Sequence, residues 1–248
     1  MKAMVFAAGE GKRLRPVTDK IPKALVPVAG RPMIEYPLLL LRYHGIRHAV
    51  INLHHFGEQI EAHLGNGDRL GLRITYSKEQ ELLDTGGGLL KAKPFLQDDT
   101  FIVINTDVLI DLPLAELIDF HRAKKAVATL ALRPDELADQ YGSIDIDTEG
   151  RIDRFLRTKR SSAPVGPRTK LMFTGVQILD PKIFKYMPSD VGSAKFSTTK
   201  DTYPKMLLAG EALYGFRFDG FWQDVGTTDR IKQVEERLAK MSVRLHFL

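Results

Sequence analysis

The first loop of the chain holds two glycines and two cations within five residues. The sequence GEGKR occupies positions 9–13, directly after the apolar run Ala3–Ala8, and Lys23 follows downstream. Glycine lets the backbone approach a ligand closely and turn its N–H groups inward. A buried strand that ends in small residues and cations therefore predicts a site for an anionic ligand, with polyphosphate as the candidate.

Two common glycine-rich nucleotide motifs are excluded by spacing. A dinucleotide-binding fingerprint requires a third glycine near position 14, which is Leu14. A Walker A loop ending at Gly11-Lys12 requires glycine at position 6 and Ser or Thr at position 13, where the chain has Phe6 and Arg13. The alternative to a ligand site is a glycine-rich turn with solvated cations.

Two aspartates stand where carboxylates could bind a metal ion. Asp107 closes the sequence NTD after the apolar stretch Thr100–Asn105, and Asp224 lies in the sequence WQDVG. Carboxylate oxygens are ligands that Mg²⁺ prefers when it also bridges phosphates. Each aspartate has a structural alternative, because Asp107 could only cap a turn and Asp224 could cap the helix that follows it.

A second glycine cluster, DTGGG at positions 84–88, follows the sequence EQE at positions 79–81. Three glycines at the start of a helix would let a flat base lie against the backbone. The alternative is a flexible turn.

Short apolar strands alternate with helical patterns in the first half of the chain. The predicted strands are 3–8, 48–53, 72–77, 100–105 and 126–133, and the predicted helices are 32–44, 57–64, 85–92 and 114–124. This alternation predicts an α/β fold of three layers, Rossmann-like, with a mixed and mostly parallel central sheet. Ligands of such sheets bind at the carboxyl ends of strands, where Gly9 and Asp107 fall.

The second half of the chain has a different pattern, which predicts a small antiparallel lobe inserted into the same fold. One hairpin is predicted from 143–146 and 151–156, and a further strand at 172–179. A second hairpin is predicted from 213–218 and 221–224, turning at Asp219-Gly220. The closing helix is predicted over Thr227–Met241.

Composition excludes several classes of function. The net charge of +5 is modest and no basic stripe is interleaved with aromatic residues, so nucleic acid is not an expected partner. The chain has no cysteine, which excludes disulfide and thiolate chemistry and suits a reducing compartment. No apolar segment is long enough to span a bilayer, so we expect a cytoplasmic protein with no membrane partner.

The first segment resembles the signature of a known enzyme family. AAGEGKRLRPVT, followed by IPKALVPVAGRPMIEY, is similar to the motif of the sugar-1-phosphate nucleotidyltransferases, which make nucleotide-sugars from an NTP and a sugar phosphate. Lys12 stands where the family usually has Thr. The resemblance extends from Met1 to about Arg237.

The resemblance implies a role for each candidate residue. Arg13 would contact the leaving pyrophosphate and Lys23 the α-phosphate, while Asp107 and Asp224 would hold Mg²⁺. The implied nucleotide-binding residues are Ala7, Ala8, Gly9, Gly11, Gln80, Gly87 and Gly88, and the implied sugar-phosphate-binding residues are Lys159, Thr174 and Gly175. The family's E-K-P segment is replaced by FLRTKR at positions 155–160, so Arg157, Lys159 and Arg160 all remain candidates for the sugar phosphate.

The resemblance also implies a single nucleotidyltransferase domain over residues 1–248. Residues 1–135 would form the NTP-binding half, 136–225 the sugar-phosphate-binding half, and 226–248 the closing helix and tail. A monomer or small homo-oligomer is expected.

Two substrate classes stay open. The segments GNGDRLGLRITYS and LLDTGGGLLKA are similar to uridylyltransferases that act on N-acetylmuramate 1-phosphate, which favours UTP. They are also similar to guanylyltransferases that act on mannose or heptose 1-phosphate. A non-catalytic relative that binds a nucleotide-sugar and regulates a partner is the alternative of another class, and the retention of Arg13, Lys23, Asp107 and Asp224 argues against it.

Overall fold

The computed structural model describes residues 1–136, 138, 142–189 and 195–248. The chain divides into two compact units. Unit 1 consists of Met1–Leu82, Ile104–Leu112 and Gly220–Leu248, and unit 2 of Leu83–Val103 and Pro113–Asp219.

Fourteen strands and seven α-helices carry the architecture of the described residues. The strands are β1 (Lys2–Phe6), β2 (Pro27–Val28), β3 (Arg31–Pro32), β4 (His48–Leu53), β5 (Arg73–Lys78), β6 (Phe101–Asn105), β7 (Val108–Ile110), β8 (Ala128–Arg133), β9 (Ser143–Ile146), β10 (Ile152–Phe155), β11 (Thr158–Lys159), β12 (Thr169–Leu179), β13 (Leu213–Arg217) and β14 (Trp222–Asp224). The helices are α1 (Glu35–Tyr43), α2 (Gly57–Leu64), α3 (Asp84–Lys91), α4 (Lys93–Leu96), α5 (Leu114–Ala123), α6 (Tyr203–Leu208) and α7 (Thr228–Ala239).

Unit 1 is built on parallel strands. β1 pairs with β4, and β4 with β5, both in parallel, so that Ala3 stands opposite Ala49 and Ala49 opposite Ile74. Ala3, Ala49 and the rest of the β1 interior are fully buried, as expected for strands covered on both faces. The carboxyl ends of these strands therefore point in one direction and place the loops that follow them at one edge.

Unit 2 is mixed. β12 pairs antiparallel with both β8 and β9, β9 pairs antiparallel with β10, and β13 runs parallel to β8. The predicted hairpin around positions 147–150 is confirmed, and Asp147 Oδ1 stabilises its turn by accepting the Arg151 N–H at 2.9 Å. The predicted α/β fold class is confirmed as well.

The second predicted hairpin is wrong. Both strands exist, but β13 pairs with β8 while β14 pairs antiparallel with β7. Asp219-Gly220 has the composition of a hairpin turn, yet Asp219 pairs with Arg217 at the surface, 3.0 Å away, and the two strands take long-range partners. The composition of a turn carries no information about which distant strands pair with the strands on either side of it. In addition, β7 was not predicted as a strand.

None of the helices in the described part of the chain is both long enough and apolar enough to cross a membrane.

Candidate active site

The loop after β1 exposes its backbone at Gly9. Ala7 and Ala8 are buried, and the Ala7 N–H donates to Asn52 Oδ1 at 2.8 Å, which fixes the start of the loop. At Gly9 no atom lies within 4 Å of the position that a Cβ would take. The backbone there is open to a ligand.

Gly11 makes room for Lys23. Its φ of +66° lies in the left-handed region, and its carbonyl accepts the Thr18 hydroxyl at 2.9 Å and the Leu14 N–H at 2.8 Å. A Cβ at Gly11 would stand 2.9 Å from Lys23 Cβ and 2.8 Å from Thr18 Cγ2. Only glycine therefore lets the Lys23 stem lie against this loop.

Lys23 is held by the first of the two aspartates. Its Nζ lies 2.5 Å from Asp107 Oδ2, and the side chains are only 18% and 23% exposed. The loop that carries Asp107 is tied to β1, because the Thr106 hydroxyl donates to the Phe6 carbonyl at 2.5 Å. The cation and the carboxylate are thus fixed beside the end of β1.

The second aspartate lies next to the first through the β7–β14 ladder. Asp224 stands opposite Val108 in that ladder, and the Val225 N–H donates to the Asp107 carbonyl at 2.9 Å. Asp224 Oδ1 accepts the Gly226 N–H at 2.6 Å. This pairing brings two distant segments of sequence to adjacent positions.

Asp224 does not cap the closing helix. The cap of α7 is Thr227, whose hydroxyl oxygen accepts the Arg230 N–H at 3.4 Å. Arg230 instead reaches Asp224, with its Nη1 2.8 Å from Oδ2. Asp224 is therefore not the cap of α7, and its two oxygens are held by Arg230 and by the Gly226 N–H.

Arg13 lies beside Asp224 with its charge unpaired. It follows Lys12 in a 3₁₀ turn that is anchored by the buried Leu14, and it is itself exposed. A Cβ on Gly226 would stand 2.6 Å from Arg13 Nη2 and 2.9 Å from Asp224 Oδ1. Arg13 forms no ion pair with any described residue, so its guanidinium is available to an anion.

The donor set of the two aspartates fits a hard divalent cation. Asp107 Oδ1 has no hydrogen-bond partner among the described residues, whereas Oδ2 meets Lys23. No group of three or more His, Cys, Asp or Glu side chains that could hold a metal ion occurs in the described ranges. Two protein carboxylates, with phosphate and water completing the coordination, are what Mg²⁺ commonly uses.

Sequence reasoning missed a buried pair behind the loop. Asn52 is 3% exposed, and its Nδ2 donates to Glu79 Oε1 at 2.7 Å while its Oδ1 accepts from Ala7. The available signal was a single amide within the apolar strand β4, next to its carboxyl end. Arg230 was missed too, because the sequence carries no signal that an arginine in the first turn of a polar helix pairs with a carboxylate in the preceding strand.

In unit 2 the second glycine cluster forms the start of α3. The Gly86 N–H donates to the Phe196 carbonyl at 2.9 Å, and a Cβ on Gly86 would stand 2.3 Å from the Phe196 ring. Gly87 and Gly88 are buried. The cluster is therefore a close contact between a helix and the segment around residue 196, not a flexible turn. Gln80, in unit 1, is exposed.

The basic run of unit 2 separates into structural and exposed cations. Arg160 is 8% exposed and donates to the Ile152 and Glu211 carbonyls at 3.1 and 2.7 Å, so it stabilises the lobe. Arg157 and Lys159 are exposed. Arg157 also lines a cavity of about 590 Å³ whose lining residues are Gly142, Ser143, Arg154, Leu156, Arg157, Thr158, Lys200 and Pro204.

Thr174 and Gly175 lie at an irregularity of β12. The Thr174 side chain is buried and its hydroxyl donates to the Ala131 carbonyl at 2.8 Å. Gly175 has a φ of +88°, and the β12–β8 register shifts between Phe173 and Gln177. Glycine is needed here for the bulge itself.

Comparison with known proteins assigns the class. The model of the family described as "Nucleotidyl transferase" matches residues 2–241, and the chain belongs to that family. It is 36% identical to a UTP--glucose-1-phosphate uridylyltransferase of Synechocystis sp. over 239 residues, which are 91% of this chain and 60% of that protein.

Two further relatives are named for other substrates. The chain is 32% identical to a mannose-1-phosphate guanylyltransferase of Mycobacterium tuberculosis, covering 92% of this chain and 61% of that one. It is 35% identical to an N-acetylmuramate alpha-1-phosphate uridylyltransferase of Neisseria meningitidis serogroup B, covering 95% and 97%. The chain thus spans about three fifths of the first two relatives and almost all of the third.

A solved structure supports the fold. HddC from Yersinia pseudotuberculosis, complexed with GMP-PN, superimposes with a TM-score of 0.76 at 24% identity, covering 96% of this chain and 99% of that one.

Proposed function

We propose that the chain transfers a nucleotidyl group from an NTP to a sugar 1-phosphate and releases pyrophosphate. The observation that carries the proposal is the assembly in unit 1 of Arg13, Lys23, Asp107 and Asp224 around an open glycine backbone. These residues come from three separate stretches of sequence, because Arg13 and Lys23 both belong to the first segment. Membership of the nucleotidyl transferase family supports the same reaction.

In the proposed reaction an oxygen of the sugar phosphate attacks the α-phosphorus in line. The bond from that phosphorus to the oxygen of the β-phosphate breaks, and pyrophosphate leaves. The N–H groups near Gly9 and Gly11 bind phosphate oxygens, and the unpaired Arg13 stabilises the leaving pyrophosphate. No general base is needed, because the attacking phosphate is already ionised. Positioning and charge neutralisation supply the catalysis.

Lys23 contributes charge at the α-phosphate. Its pairing with Asp107 keeps the ammonium in one place, beside the loop that Gly11 allows it to approach. A preplaced cation needs no reorganisation as negative charge develops.

We propose Mg²⁺ as the cation held by Asp107 and Asp224. When bound, it would neutralise phosphate charge and orient the two phosphate groups. The free Oδ1 of Asp107 supports this assignment.

UTP is the favoured nucleotide. The N-acetylmuramate alpha-1-phosphate uridylyltransferase matches this chain over nearly the whole length of both proteins. Gln80, Gly87 and Gly88 remain the proposed residues for the nucleobase. The alternative is GTP with mannose or heptose 1-phosphate, which the guanylyltransferase relative and the GMP-PN complex of HddC support.

On the sugar side, Lys159, Thr174 and Gly175 remain the proposed residues. Arg157 is a further candidate for the sugar phosphate, because it lines the cavity of unit 2. Arg160 is not proposed, since its guanidinium is buried against backbone carbonyls.

Pyrophosphate release across four NTPs and a panel of sugar 1-phosphates, with Mg²⁺, tests the reaction and the substrate together. We expect release with UTP and N-acetylmuramate 1-phosphate, and release only with GTP and mannose or heptose 1-phosphate would establish the alternative. No release from any pair would refute the enzyme and favour the regulatory relative.

Asp107→Asn and Asp224→Asn test the metal site. Each should abolish turnover and leave thermal unfolding close to that of the wild type. Asp119→Asn is the matched control, because Asp119 is exposed on α5 and its ion pair with Arg122 is long, at 3.9 Å. Near-normal turnover in either site variant would remove that residue from the site.

A further inference from the structure

Four arginines surround a cavity in unit 1 that shares no residue with the candidate active site. Its volume is about 520 Å³, within the range of small-molecule sites. The lining residues are Arg31, Leu39, Arg42, Tyr43, Arg47, Arg69, Leu70, Phe247 and Leu248.

Two of the arginines share a single carboxylate. Glu35 is 3% exposed and accepts from Arg31 Nη1 at 2.8 Å and from Arg69 Nη2 at 2.5 Å, while His63 Nε2 lies 2.8 Å away. Burial would raise the pKa of Glu35, but the hydrogen bonds from Arg69, His63 and Arg31 outweigh it and hold that pKa below its usual range. Glu35 is therefore ionised and neutralises one charge.

The other two arginines meet only backbone carbonyls. Arg42 Nη1 donates to the Leu70 carbonyl at 3.4 Å, and Arg47 Nη1 donates to the Arg42 carbonyl at 2.6 Å. Neither forms an ion pair with a described residue. Each guanidinium has five N–H donors, so most of them stay available.

The charges around the cavity therefore do not balance. Four arginines line the cavity, and Glu35 is the one side-chain carboxylate among the described residues that pairs with any of them. Like charges gathered in a concave, partly apolar site attract a multivalent anion more strongly than isolated surface cations do. Arginine also matches phosphate oxygens bidentately.

Apolar groups form the rest of the wall. Tyr43 is 60% exposed and Leu248 is 58% exposed, and the side chains of Leu39 and Phe247 also face the cavity. An exposed aromatic ring beside arginines suits a ligand with a planar part as well as phosphates. Inorganic anions alone would not use this wall.

We propose that this cavity is a second ligand site, for a nucleoside polyphosphate. Its phosphates contact Arg42 and Arg47, and its base lies against Tyr43. The site is independent of the proposed reaction and of the residues that carry it.

Equilibrium dialysis with labelled ATP and, separately, with pyrophosphate tests the proposal. We expect the wild type to bind one equivalent of ATP more per chain than the Arg42→Gln/Arg47→Gln variant, with the affinity of the lost site reduced at least tenfold. Arg122→Gln is the matched control, because Arg122 is an exposed arginine whose ion pair with Asp119 is long, at 3.9 Å, and it should bind as many equivalents as the wild type. The same number of equivalents at unchanged affinity in the wild type and the double variant would overturn the proposal.

Hydrogen exchange locates bound ATP in the wild-type protein, so its result does not depend on whether the double variant folds correctly. With ATP bound to the wild type, amides of residues 42–47 and 69–72 should be protected, and protection confined to residues 7–13 would overturn the proposal. Tyr43→Leu, an exposed substitution, should weaken ATP binding at this site several-fold and leave pyrophosphate binding unchanged. If pyrophosphate binds there as tightly as ATP, a simple anion site replaces the proposed nucleotide site.

Discussion

Alanine substitutions at the two glycines of the first loop separate its internal packing from its contact with a ligand. At Gly11 the left-handed backbone costs alanine about 1–2 kcal/mol. Overpacking against Thr18 and Lys23, at 2.8 and 2.9 Å, adds about 1–3 kcal/mol. We expect Gly11→Ala to lower the free energy of unfolding by about 2–5 kcal/mol.

At Gly9 the same substitution meets nothing in the protein. No atom lies within 4 Å of the Cβ position and the φ is not left-handed, so the free energy of unfolding should stay within about 0.5 kcal/mol. If the triphosphate lies against this backbone, the added methyl group displaces it. A displacement of about 1 Å costs roughly 100-fold, so kcat/KM should fall by about that factor.

Urea unfolding followed by the fluorescence of Trp222, the single tryptophan, measures stability in the unit that holds both glycines. Pyrophosphate release measures activity. Gly45→Ala is the control for conformation alone, because Gly45 has a φ of +78° and no atom within 4 Å of its Cβ position. It should lose only about 1–2 kcal/mol. Wild-type kcat/KM in Gly9→Ala, or wild-type stability in Gly11→Ala, would refute the reasoning.

Three further predictions concern buried groups. Asn52→Ala leaves the Ala7 N–H without its acceptor, so the free energy of unfolding should fall by about 1–3 kcal/mol and KM for the NTP should rise; unchanged KM would remove Asn52 from loop positioning. Burial lowers the pKa of His121 to about 4, below the unfolded 6.5, so the unfolded chain binds the proton first on acidification and stability falls by about 2 kcal/mol between pH 7 and pH 5. In urea unfolding, His121→Gln should lose that much less over this interval, and an equal loss would contradict the assignment. Gly86→Ala should destabilise by about 1–3 kcal/mol through the Phe196 ring, although alanine favours helices; a higher thermal unfolding midpoint would show that the ring yields.

The sequence predicted those features of the site that depend on local pattern. Apolar runs located the strand before Gly9 and the strand before Asp107, and parallel α/β topology placed both at carboxyl ends. β4 and α2 begin and end at the predicted residues. These predictions succeed because burial imposes a short-range pattern on the residues.

Features that depend on long-range partners could not be predicted in the same way. Asp219-Gly220 favours a hairpin locally, while β14 gains its ladder from β7. Arg160 belongs to a run of cations in the sequence, and only the fold shows that its guanidinium is buried. The arginine-lined cavity of unit 1 likewise depends on Arg42 and Arg69, which are distant in sequence and meet where Arg42 of α1 donates to the Leu70 carbonyl.

The β7–β14 ladder also determines how late in synthesis the two proposed metal ligands can come together. The proposed metal ligands Asp107 and Asp224 become neighbours only when β14 has paired with β7. During synthesis, a nascent chain that ends before Trp222 can contain the first loop and Lys23 but lacks the second carboxylate. Under the proposed function, the ability to bind the metal and the nucleotide is therefore acquired late in synthesis, when Trp222–Asp224 has been made.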